Sequence, residues 1–276
     1  MKTILLADPI RYPRMTTEEL RSTFLLQGSY APGALNLTYI DLDRAVVGIA
    51  APTDKPLTLP TYPELRASYF TERREIGILN IGGTGAVCVQ GRTCTLRNLD
   101  VLYIGRGIPD ISFESQTTEN PAIFYLLSYP AHRGHPVTLV TKEEAKPTPL
   151  GSQETCNQRI VNRYIHLEGA RSCQLVMGVT HLQNGNAWNT MPPHTHMRRS
   201  EIYMYFNLAP DARVFHLMGP PNETRHLVLA NRDIVISPGW SIHAGMGTRA
   251  YSFCWGMGGE NQDYADMDRA PLDTLL

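Results

Sequence analysis

The sequence predicts an all-β protein of two similar antiparallel units, each a β-barrel or jelly-roll sandwich, with a few short helices. Short apolar or alternating runs, separated by Gly, Pro and Asn, fill most of the 276 residues. Such runs and turn residues are typical of antiparallel sandwiches and barrels. Few long helical periods interrupt them. One series of runs occurs twice in the same order, which predicts two copies of one β unit.

The clearest predicted helix lies near the amino terminus, in "TTEELRSTFLLQ". Thr16 or Thr17 can cap this helix, which places Glu18 and Glu19 in its first turn. Strands follow it. In the first half they are predicted in "REIGILNIGG", "GAVCVQG", "DVLYIGRG", "DISFES" and "AIFYLLSY". In the second half they are predicted in "CQLVMGVTHL", "EIYMYFNL", "ARVFHLMG", "TRHLVLA", "DIVISPG" and "AYSFCWGM".

The repeat is visible in two pairs of segments. The segment "REIGILNI", with Glu75, aligns with "SEIYMYFNL", with Glu201, and "LRNLDVLYIGRG", with Asp100, aligns with "LANRDIVISPGW", with Asp233. Chance similarity between short apolar strands is the alternative, but the shared order and spacing favour duplication. We expect an amino-terminal unit over residues 1–150 and a carboxy-terminal unit over residues 151–276. The polar, proline-bearing segment "TKEEAKPTPLGSQETCNQR" connects them.

Charge and hydropathy argue against several classes of partner. Lysine and arginine total 25 against 26 acidic residues, so no basic excess is present to bind a nucleic-acid backbone. The opening "MKTILLADPIRYPR" holds an apolar run too short for a signal-peptide core or a membrane span. We expect a cytoplasmic protein with neither a nucleic-acid nor a membrane partner.

The five cysteines predict neither a disulfide framework nor a cysteine zinc site. They are odd in number, widely spread and never form a CxxC pair. Their positions are Cys88, Cys94, Cys156, Cys173 and Cys254. We expect buried or half-buried thiols.

The segment "PPHTHMRRSEIYMYF" predicts a metal site in the second half. In a strand, residues i and i+2 point to one face, so His194 and His196 can share one ion. Glu201 lies at an odd spacing, and a bend in "MRRS" would return it to that face. The turn in "DIVISPGWSIHAG" delivers His243 as a fourth donor.

Three imidazoles and one carboxylate suit zinc, manganese, iron or nickel better than magnesium or calcium. The alternative is a surface histidine pair with His243 in the core. No histidine precedes His132, so the amino-terminal unit lacks such ligands. His216 and His226 lie in strand-like runs and are expected to be hydrogen-bonded barrel residues. The histidines without any site spacing are His132, His135, His166 and His181.

Strand alternation also predicts a polar cavity beside the ion. The residues that share the face of Glu201 are Tyr203, Tyr205 and Asn207, and those that face away are Ile202, Met204 and Phe206. The two phenols can serve hydrogen bonding or proton transfer, although tyrosines inside a barrel commonly serve packing alone. The guanidinium candidates for an acidic substrate are Arg163, Arg198, Arg199 and Arg225.

These motifs resemble the cupin superfamily, and the chain resembles a bicupin whose amino-terminal barrel has lost its ligands. The cupin PxGxxH turn corresponds here to "PGWSIH" at residues 238–243. The glycine that cupins usually carry six residues after the glutamate is absent here.

Longer strings resemble the 5-keto-4-deoxyuronate isomerase family. They are "SYFTERREIGILNIGGTGAVCVQG", "WNTMPPHTHMRRSEIYMYFNL" and "VFHLMGPPNETRHLVLANRDIVISPGWSIHAGMGTRAYSFCWGMGGENQDYADMD". The resemblance implies a zinc-dependent, homohexameric, cytoplasmic ketol-isomerase of pectin and uronate catabolism. Its reaction would interconvert 5-dehydro-4-deoxy-D-glucuronate and 3-deoxy-D-glycero-2,5-hexodiulosonate. The resemblance also implies one zinc ion per subunit, held by His194, His196, Glu201 and His243.

Such an isomerisation moves a proton between neighbouring carbons and needs an electrophile at the carbonyl oxygen. The metal can be the electrophile if its coordination expands beyond the four protein ligands or if one of them, such as Glu201, is released; otherwise the metal is structural. We expect Arg163 or Arg199 to bind the carboxylate of a small acidic sugar. The candidates for proton transfer are Glu201, Tyr203, Tyr205 and Glu260. Two alternatives are a metal-dependent dioxygenase and a non-catalytic sugar-binding bicupin. The amino-terminal barrel is expected to serve a subunit interface.

Overall fold

The computed structural model describes all residues from 1 to 276 and consists mainly of strands and turns. The first twelve strands are β1 (Lys2–Ile4), β2 (Leu25–Leu26), β3 (Leu35–Ile40), β4 (Val46–Ala50), β5 (Leu57–Thr58), β6 (Arg74–Asn80), β7 (Gly85–Val89), β8 (Arg92–Leu96), β9 (Val101–Ile104), β10 (Ile111–Ser115), β11 (Phe124–Pro130) and β12 (Thr138–Val140). The others are β13 (Thr148–Leu150), β14 (Arg159–Ile165), β15 (Val176–Leu182), β16 (Trp188–Asn189), β17 (His194–Thr195), β18 (Arg199–Phe206), β19 (Val214–Gly219), β20 (Arg225–Leu229), β21 (Ile234–Ser237), β22 (Ile242–Gly247), β23 (Ser252–Gly259) and β24 (Asp268–Arg269).

A single α-helix, α1 (Thr17–Phe24), lies where the sequence predicts it. Thr16 caps it, because its hydroxyl accepts a hydrogen bond from the backbone N–H of Glu19 while the Glu19 carboxylate accepts one from the N–H of Thr16. The remaining helical segments are short 3₁₀ turns at Tyr12–Arg14, Leu42–Arg44, Pro63–Leu65, Phe70–Glu72 and Leu272–Thr274. None of the helices has the length and apolar character that a membrane crossing needs.

The strands form two equivalent units, which confirms the predicted all-β, twice-repeated fold. In the first unit a seven-stranded sheet, ordered β1-β3-β4-β11-β6-β9-β12, accompanies a four-stranded sheet, ordered β5-β10-β7-β8. The second unit repeats this plan with the orders β13-β14-β15-β23-β18-β21-β2 and β16-β22-β19-β20. Strands β17 and β24 form a separate pair.

Each unit has its own apolar interior, and a third apolar cluster joins the two units. The first interior draws on both sheets of its unit, for example on Ile76 and Phe113. The second interior includes Tyr203. The third cluster holds 28 buried residues from both seven-stranded sheets, among them Ile202 and Met204. Successive residues of β18 therefore face the second interior and the junction in turn, as alternation predicts.

The amino-terminal segment crosses from the first unit to the second. Strand β2 pairs with β21, with Leu25 opposite Val235. The Tyr12 hydroxyl donates a hydrogen bond to the carbonyl of Met218 at 2.9 Å, and Arg21 donates one to the carbonyl of Val228 at 3.0 Å. Strand β13, which ends at residue 150, also pairs within the second unit. The unit boundary at residue 150 stays a prediction. Two segments that precede it, β2 and β13, pair with strands of the second unit.

Strand pairing corrects the sequence alignment of the two units. In the first unit Val101 pairs with Leu79, and in the second Ile234 pairs with Met204. Val101 and Ile234 each follow the aspartate of the repeated motif, so they are equivalent positions. Leu79 and Met204 are then equivalent as well, which shifts the predicted register of β6 against β18 by one residue.

This register places Ile76, not Glu75, at the position of Glu201, so the alignment of the two glutamates is wrong. Strand β10 is the counterpart of β22 in the sheet order, and its first inward residue is Ile111, whereas β22 carries the inward His243. Both isoleucines are buried in the apolar interior of the first unit. A hydrocarbon side chain has no lone pair to offer a metal, which is the physical reason that the first unit lacks this type of site.

Glu75 lies on the opposite face of β6 and is fully buried at the junction of the units. Its carboxylate accepts hydrogen bonds from the Tyr103 hydroxyl at 2.8 Å and from the backbone N–H groups of Cys173, Gln174 and Leu175 at 2.7, 2.9 and 2.9 Å. Four donors compensate the loss of hydration of this carboxylate. The first unit thereby holds the backbone segment that leads into β15.

Candidate metal centre and cavity

Three histidines and one glutamate meet at one end of the second unit's interior. His194 lies in β17, His196 directly after it, Glu201 in β18 and His243 in β22. Their candidate ligand atoms all lie within 4.8 Å of one another. These are the four residues that the sequence singles out, and the structure brings all of them together.

The contacts within the cluster converge on two atoms. Oε2 of Glu201 lies 2.8 Å from Nε2 of His243 and 3.3 Å from Nε2 of His196. Nε2 of His243 also lies 3.1 Å from Nε2 of His194. Four donor atoms that face one another at such distances can share one divalent ion after small side-chain adjustments.

The bend in "MRRS" explains how His196 and Glu201, which are an odd number of residues apart, can face the same site. Strand β17 ends at Thr195, the chain bends at Met197 and Arg198, and β18 begins at Arg199. Glu201 consequently faces the same interior as the two histidines. Its partner across the ladder is Ser237, which is near the start of the turn that carries His243.

The chemistry of the donors fits a metal. Nδ1 of the buried His196 has no hydrogen-bond partner, and Nε2 faces only Oε2 of Glu201 without good hydrogen-bond geometry. Buried nitrogens in this state are costly unless an ion binds them. The Ser237 hydroxyl lies 3.4 Å from Nδ1 of His243, which leaves Nε2 of that ring for the cluster. Three imidazoles with one carboxylate match the ligands of zinc, manganese, iron or nickel.

Burial sets the protonation of the cluster. It lowers the pKa of His194 to about 3, with His243 adding to the effect, so His194 is neutral at physiological pH. Burial would raise the pKa of Glu201, but the facing His243 and His196 hold it below its ordinary value. A neutral imidazole and an ionised carboxylate are the forms that coordinate a metal.

A cavity of about 540 Å³ opens beside the cluster, in the size range of small-molecule sites. Nine of its 17 lining residues are hydrophobic. Phe253, Trp255 and Met257 supply an apolar wall from β23, and Tyr203 and Thr190 add hydroxyls that lie 3.3 Å apart. The wall can pack against a sugar-sized ligand while the hydroxyls orient it.

Of the polar residues predicted to share the face of Glu201 on β18, only Tyr203 lines the cavity. Tyr205 does not, and its hydroxyl lies 2.7 Å from Nδ1 of the fully buried His216. Asn207 does not share the interior face as expected, because β18 ends at Phe206 and Asn207 adopts a left-handed φ of +56° that leaves it exposed. This is the position where cupins usually carry glycine, and asparagine tolerates the same conformation.

Three further predicted substrate or proton-transfer residues lie outside the cavity wall. Glu260 is 73% exposed and faces Arg198 at 3.7 Å. Arg199 is buried, and its Nη2 lies 2.8 Å from a carboxylate oxygen of Asp266. Arg163 contacts the wall only through the Tyr264 hydroxyl, at 3.4 Å.

Two arginines in the cavity wall were not predicted. Arg159 stands at the start of β14, and Arg269 lies in β24, opposite His194 in the β17–β24 pair. Arg159 shares a strand face with Val161 and Arg163 by alternation, and that pattern is the signal that could have found it. Arg269 has no such signal, because its position depends on how the carboxy-terminal segment folds back.

The remaining predictions for histidines and thiols are mixed. His216 is hydrogen-bonded inside the barrel, as expected. The prediction that His226 is hydrogen-bonded inside the barrel is wrong. It is exposed on β20, because Leu227 and Leu229 occupy the face of that strand that points to the interior. Cys156 is exposed rather than buried, because it lies in the turn before β14. The other four cysteines are buried or half-buried and all are free.

The segment of residues 260–270, which we call the strap, forms part of the cavity wall. It contributes Tyr264, Met267 and Arg269 to the lining. Asp266 fastens it through Nε of Arg198 at 2.7 Å and Nη2 of Arg199 at 2.8 Å. Pairing of β24 with β17 fastens it a second time.

The Asp266→Asn substitution is expected to loosen the strap, because it removes the charge opposite the buried Arg199 guanidinium. We expect faster amide hydrogen exchange over residues 261–270 and a KM for the cavity's ligand raised about tenfold. Asp263→Asn is the matched control, since the strap uses the backbone carbonyl of Asp263 and not its carboxylate to meet Arg198 and Arg199. Exchange rates that match those of the native chain would contradict this role of Asp266.

Comparison with protein families gives one match over most of the chain. A family model described as the KduI/IolB family matches residues 38–272. Several curated relatives carry the name 4-deoxy-L-threo-5-hexosulose-uronate ketol-isomerase. The relative from Halalkalibacterium halodurans is 48% identical over 268 residues and 97% of each chain. That from Opitutus terrae is 47% identical over 276 residues and 100% of each chain.

Solved structures share the fold at low sequence identity. An IolB-like protein from Salmonella typhimurium LT2 superposes with a TM-score of 0.73 and 14% identity, over 90% of this chain and 97% of the other. Bacillus subtilis oxalate decarboxylase, whose Mn(II) centres have been characterised, gives a TM-score of 0.54 and 9% identity, over 81% of this chain and 71% of the other. These two likenesses concern the fold alone.

Proposed function

The chain belongs to the KduI/IolB family, and on that premise we propose that it is a ketol-isomerase of uronate catabolism. It interconverts 5-dehydro-4-deoxy-D-glucuronate and 3-deoxy-D-glycero-2,5-hexodiulosonate, a reaction of pectin breakdown. Relatives that carry the isomerase name match nearly the whole chain at 46–49% identity. The observation that carries the proposal is the cluster of three histidines and Glu201 in the wall of a sugar-sized cavity.

We further propose that His194, His196, Glu201 and His243 hold one zinc ion per subunit. When bound, a divalent ion supplies a Lewis acid for the carbonyl and hydroxyl oxygens of the substrate. Manganese, iron and nickel share the same ligand preference, so the donor set supports the whole group of metals.

The chain's own groups account for the proton transfer. Among the candidates from the sequence, Glu201 and Tyr203 reach the cavity. Burial raises the pKa of Tyr203 well above its ordinary value, so the phenol keeps its proton and donates a hydrogen bond to a substrate oxygen. The charged carboxylate of Glu201 is then the group that accepts the proton from one carbon and returns it to the next.

The apolar wall supports this chemistry by limiting access of water. Phe253, Trp255 and Met257 lie in consecutive inward positions of β23. The Trp255 indole N–H donates to the Thr180 hydroxyl at 3.1 Å, which fixes the ring. A dry wall protects an enediol from stray protonation and strengthens the polar contacts on the opposite side.

We propose a cytoplasmic homohexamer, as the family resemblance implies, with the first unit as a subunit interface. The interior of that unit is filled by apolar side chains such as Ile76 and Ile111. Its outer faces remain for contacts between subunits.

Turnover of enzymatically produced 5-keto-4-deoxyuronate, with and without metal, tests the proposal. We expect the metal-loaded protein to be active, the chelator-treated protein to lose activity about 1000-fold, and added zinc to restore it while circular dichroism shows the fold unchanged. Activity that survives full metal removal would refute the metal's role in the reaction. Absence of turnover with every metal would refute the isomerase, and consumption of oxygen by an iron-loaded sample would point to a dioxygenase instead.

A further inference from the structure

The cavity has a positively charged part apart from the metal cluster. Besides the histidines, its cationic lining residues are Arg159 and Arg269. Neither forms a salt bridge with an acidic residue, whereas the nearby Arg198 and Arg199 both pair with Asp266. The single carboxylate of the lining is Glu201, which is engaged with the histidines. The two guanidiniums are consequently free to receive an anion.

Arg159 is the better placed of the two for a specific contact. It is half-buried, and its one hydrogen bond runs from Nη1 to the carbonyl of Asn157 at 2.9 Å. That bond holds the guanidinium in place and leaves its remaining N–H donors for a ligand. Burial lowers the pKa of Arg159, yet arginine stays charged at physiological pH. A half-buried charge without a counter-charge gains most when an anion arrives.

Arg159 and the metal cluster can contact the two ends of one small linear molecule. Arg159 lines the cavity from β14, whereas Glu201 and Tyr203 line it from β18. Strands β15 and β23 stand between these two strands in the sheet, so the guanidinium and the metal cluster lie on different sides of one cavity. In a hexosulose-uronate the carbonyl that reacts and the carboxylate stand at opposite ends of the carbon chain. A substrate with its reacting end at the cluster would extend across the wall formed by β23 toward Arg159.

We propose that Arg159 binds the carboxylate of the substrate in a bidentate contact and so makes the cavity selective for uronates over uncharged sugars. This inference rests on the proposed isomerase function, since it places the reacting end of the substrate at the cluster. Arg269, exposed on the strap, adds positive charge to the cavity wall without a fixed contact. The roles expected for Arg163 and Arg199 pass to Arg159, because Arg199 holds the strap and Arg163 stands outside the wall.

The test compares the acid with its methyl ester as substrates of the metal-loaded protein. For Arg159→Met we expect the KM of the acid to rise about 100-fold with kcat changed by a few-fold at most, because a charge-assisted pair is lost. We expect the kinetics of the ester to stay the same, so the preference for the acid disappears. Arg159→Lys is expected to recover part of the preference, as a charge without the planar fork.

Arg92→Met, on the exposed edge strand β8 of the first unit, is the matched control and is expected to behave as the native chain. Equal losses for acid and ester in Arg159→Met would mean a structural role and overturn the inference. An unchanged preference for the acid would overturn it as well. If the native protein turns over neither compound, the isomerase proposal itself fails. Calorimetric titration of the acid into native and Arg159→Met protein then still decides the carboxylate site, since equal affinities would refute it.

Discussion

The Glu201→Gln protein is expected to be folded and nearly inactive, with kcat lowered on the order of 1000-fold. Oε2 of Glu201 is the negative atom on which His196 and His243 converge, at 3.3 and 2.8 Å. An amide of the same shape offers neither that charge nor a basic oxygen to accept a proton. We therefore expect a loss of metal affinity of at least about 100-fold in the same variant.

Metal content by mass spectrometry and turnover at saturating zinc separate these two effects. Saturating zinc restores the ion by mass action, so any remaining loss of kcat reports the proton transfer. Glu168→Gln serves as the matched control, because Glu168 is an exposed glutamate outside the cavity. Full turnover together with native metal content in Glu201→Gln would exclude Glu201 both as a ligand and as the base.

The Glu75→Ala substitution is expected to lower the free energy of unfolding by about 3–5 kcal/mol. It removes the single acceptor of four donors at the fully buried junction, three of them backbone N–H groups at residues 173–175. Alanine leaves a void as well as unpaired donors, so packing between the units suffers together with hydrogen bonding.

Urea denaturation, followed separately by fluorescence and by circular dichroism, measures this loss. Glu114→Ala in β10 is the control, since Glu114 is an exposed glutamate of the same unit and should change the stability by less than about 0.5 kcal/mol. A difference below about 1 kcal/mol for Glu75→Ala would show that water replaces the carboxylate at the junction.

The strands and the metal cluster could be predicted because their signals are local. Alternating runs bounded by turn residues define β6 or β18 without knowledge of their neighbours. His194 and His196 share a face through strand geometry alone, and the PG turn places His243 at the start of the next strand. An adjacent antiparallel strand can then bring together two segments that are more than forty residues apart in the chain, and the family resemblance implies the same four ligands.

The cavity wall could not be predicted to the same extent, because it depends on which segments pack across it. Arg199 was predicted to bind substrate and Arg159 was not, although nothing in the residues adjacent to either one distinguishes a free guanidinium from a paired one. The difference between them is Asp266, which comes from the strap and neutralises one of the two. The alignment of Glu75 with Glu201 was wrong for another reason. It matched identical residue types, which shifted the register by one residue, and such a shift in a strand exchanges the interior face for the outer one.

The crossing of β2 and α1 to the second unit has a consequence for synthesis. Tyr12 meets Met218, and Arg21 meets Val228, across separations of 206 and 207 residues. The ribosome makes this segment about 200 residues before its partners, so at usual elongation rates it waits roughly 10–40 s for them. During that time an amphipathic helix and an unpaired edge strand stay exposed on the nascent chain. A chaperone that recognises such segments has this interval in which to act, and the second unit gains its edge strand β2 from a segment made well before the rest of that sheet.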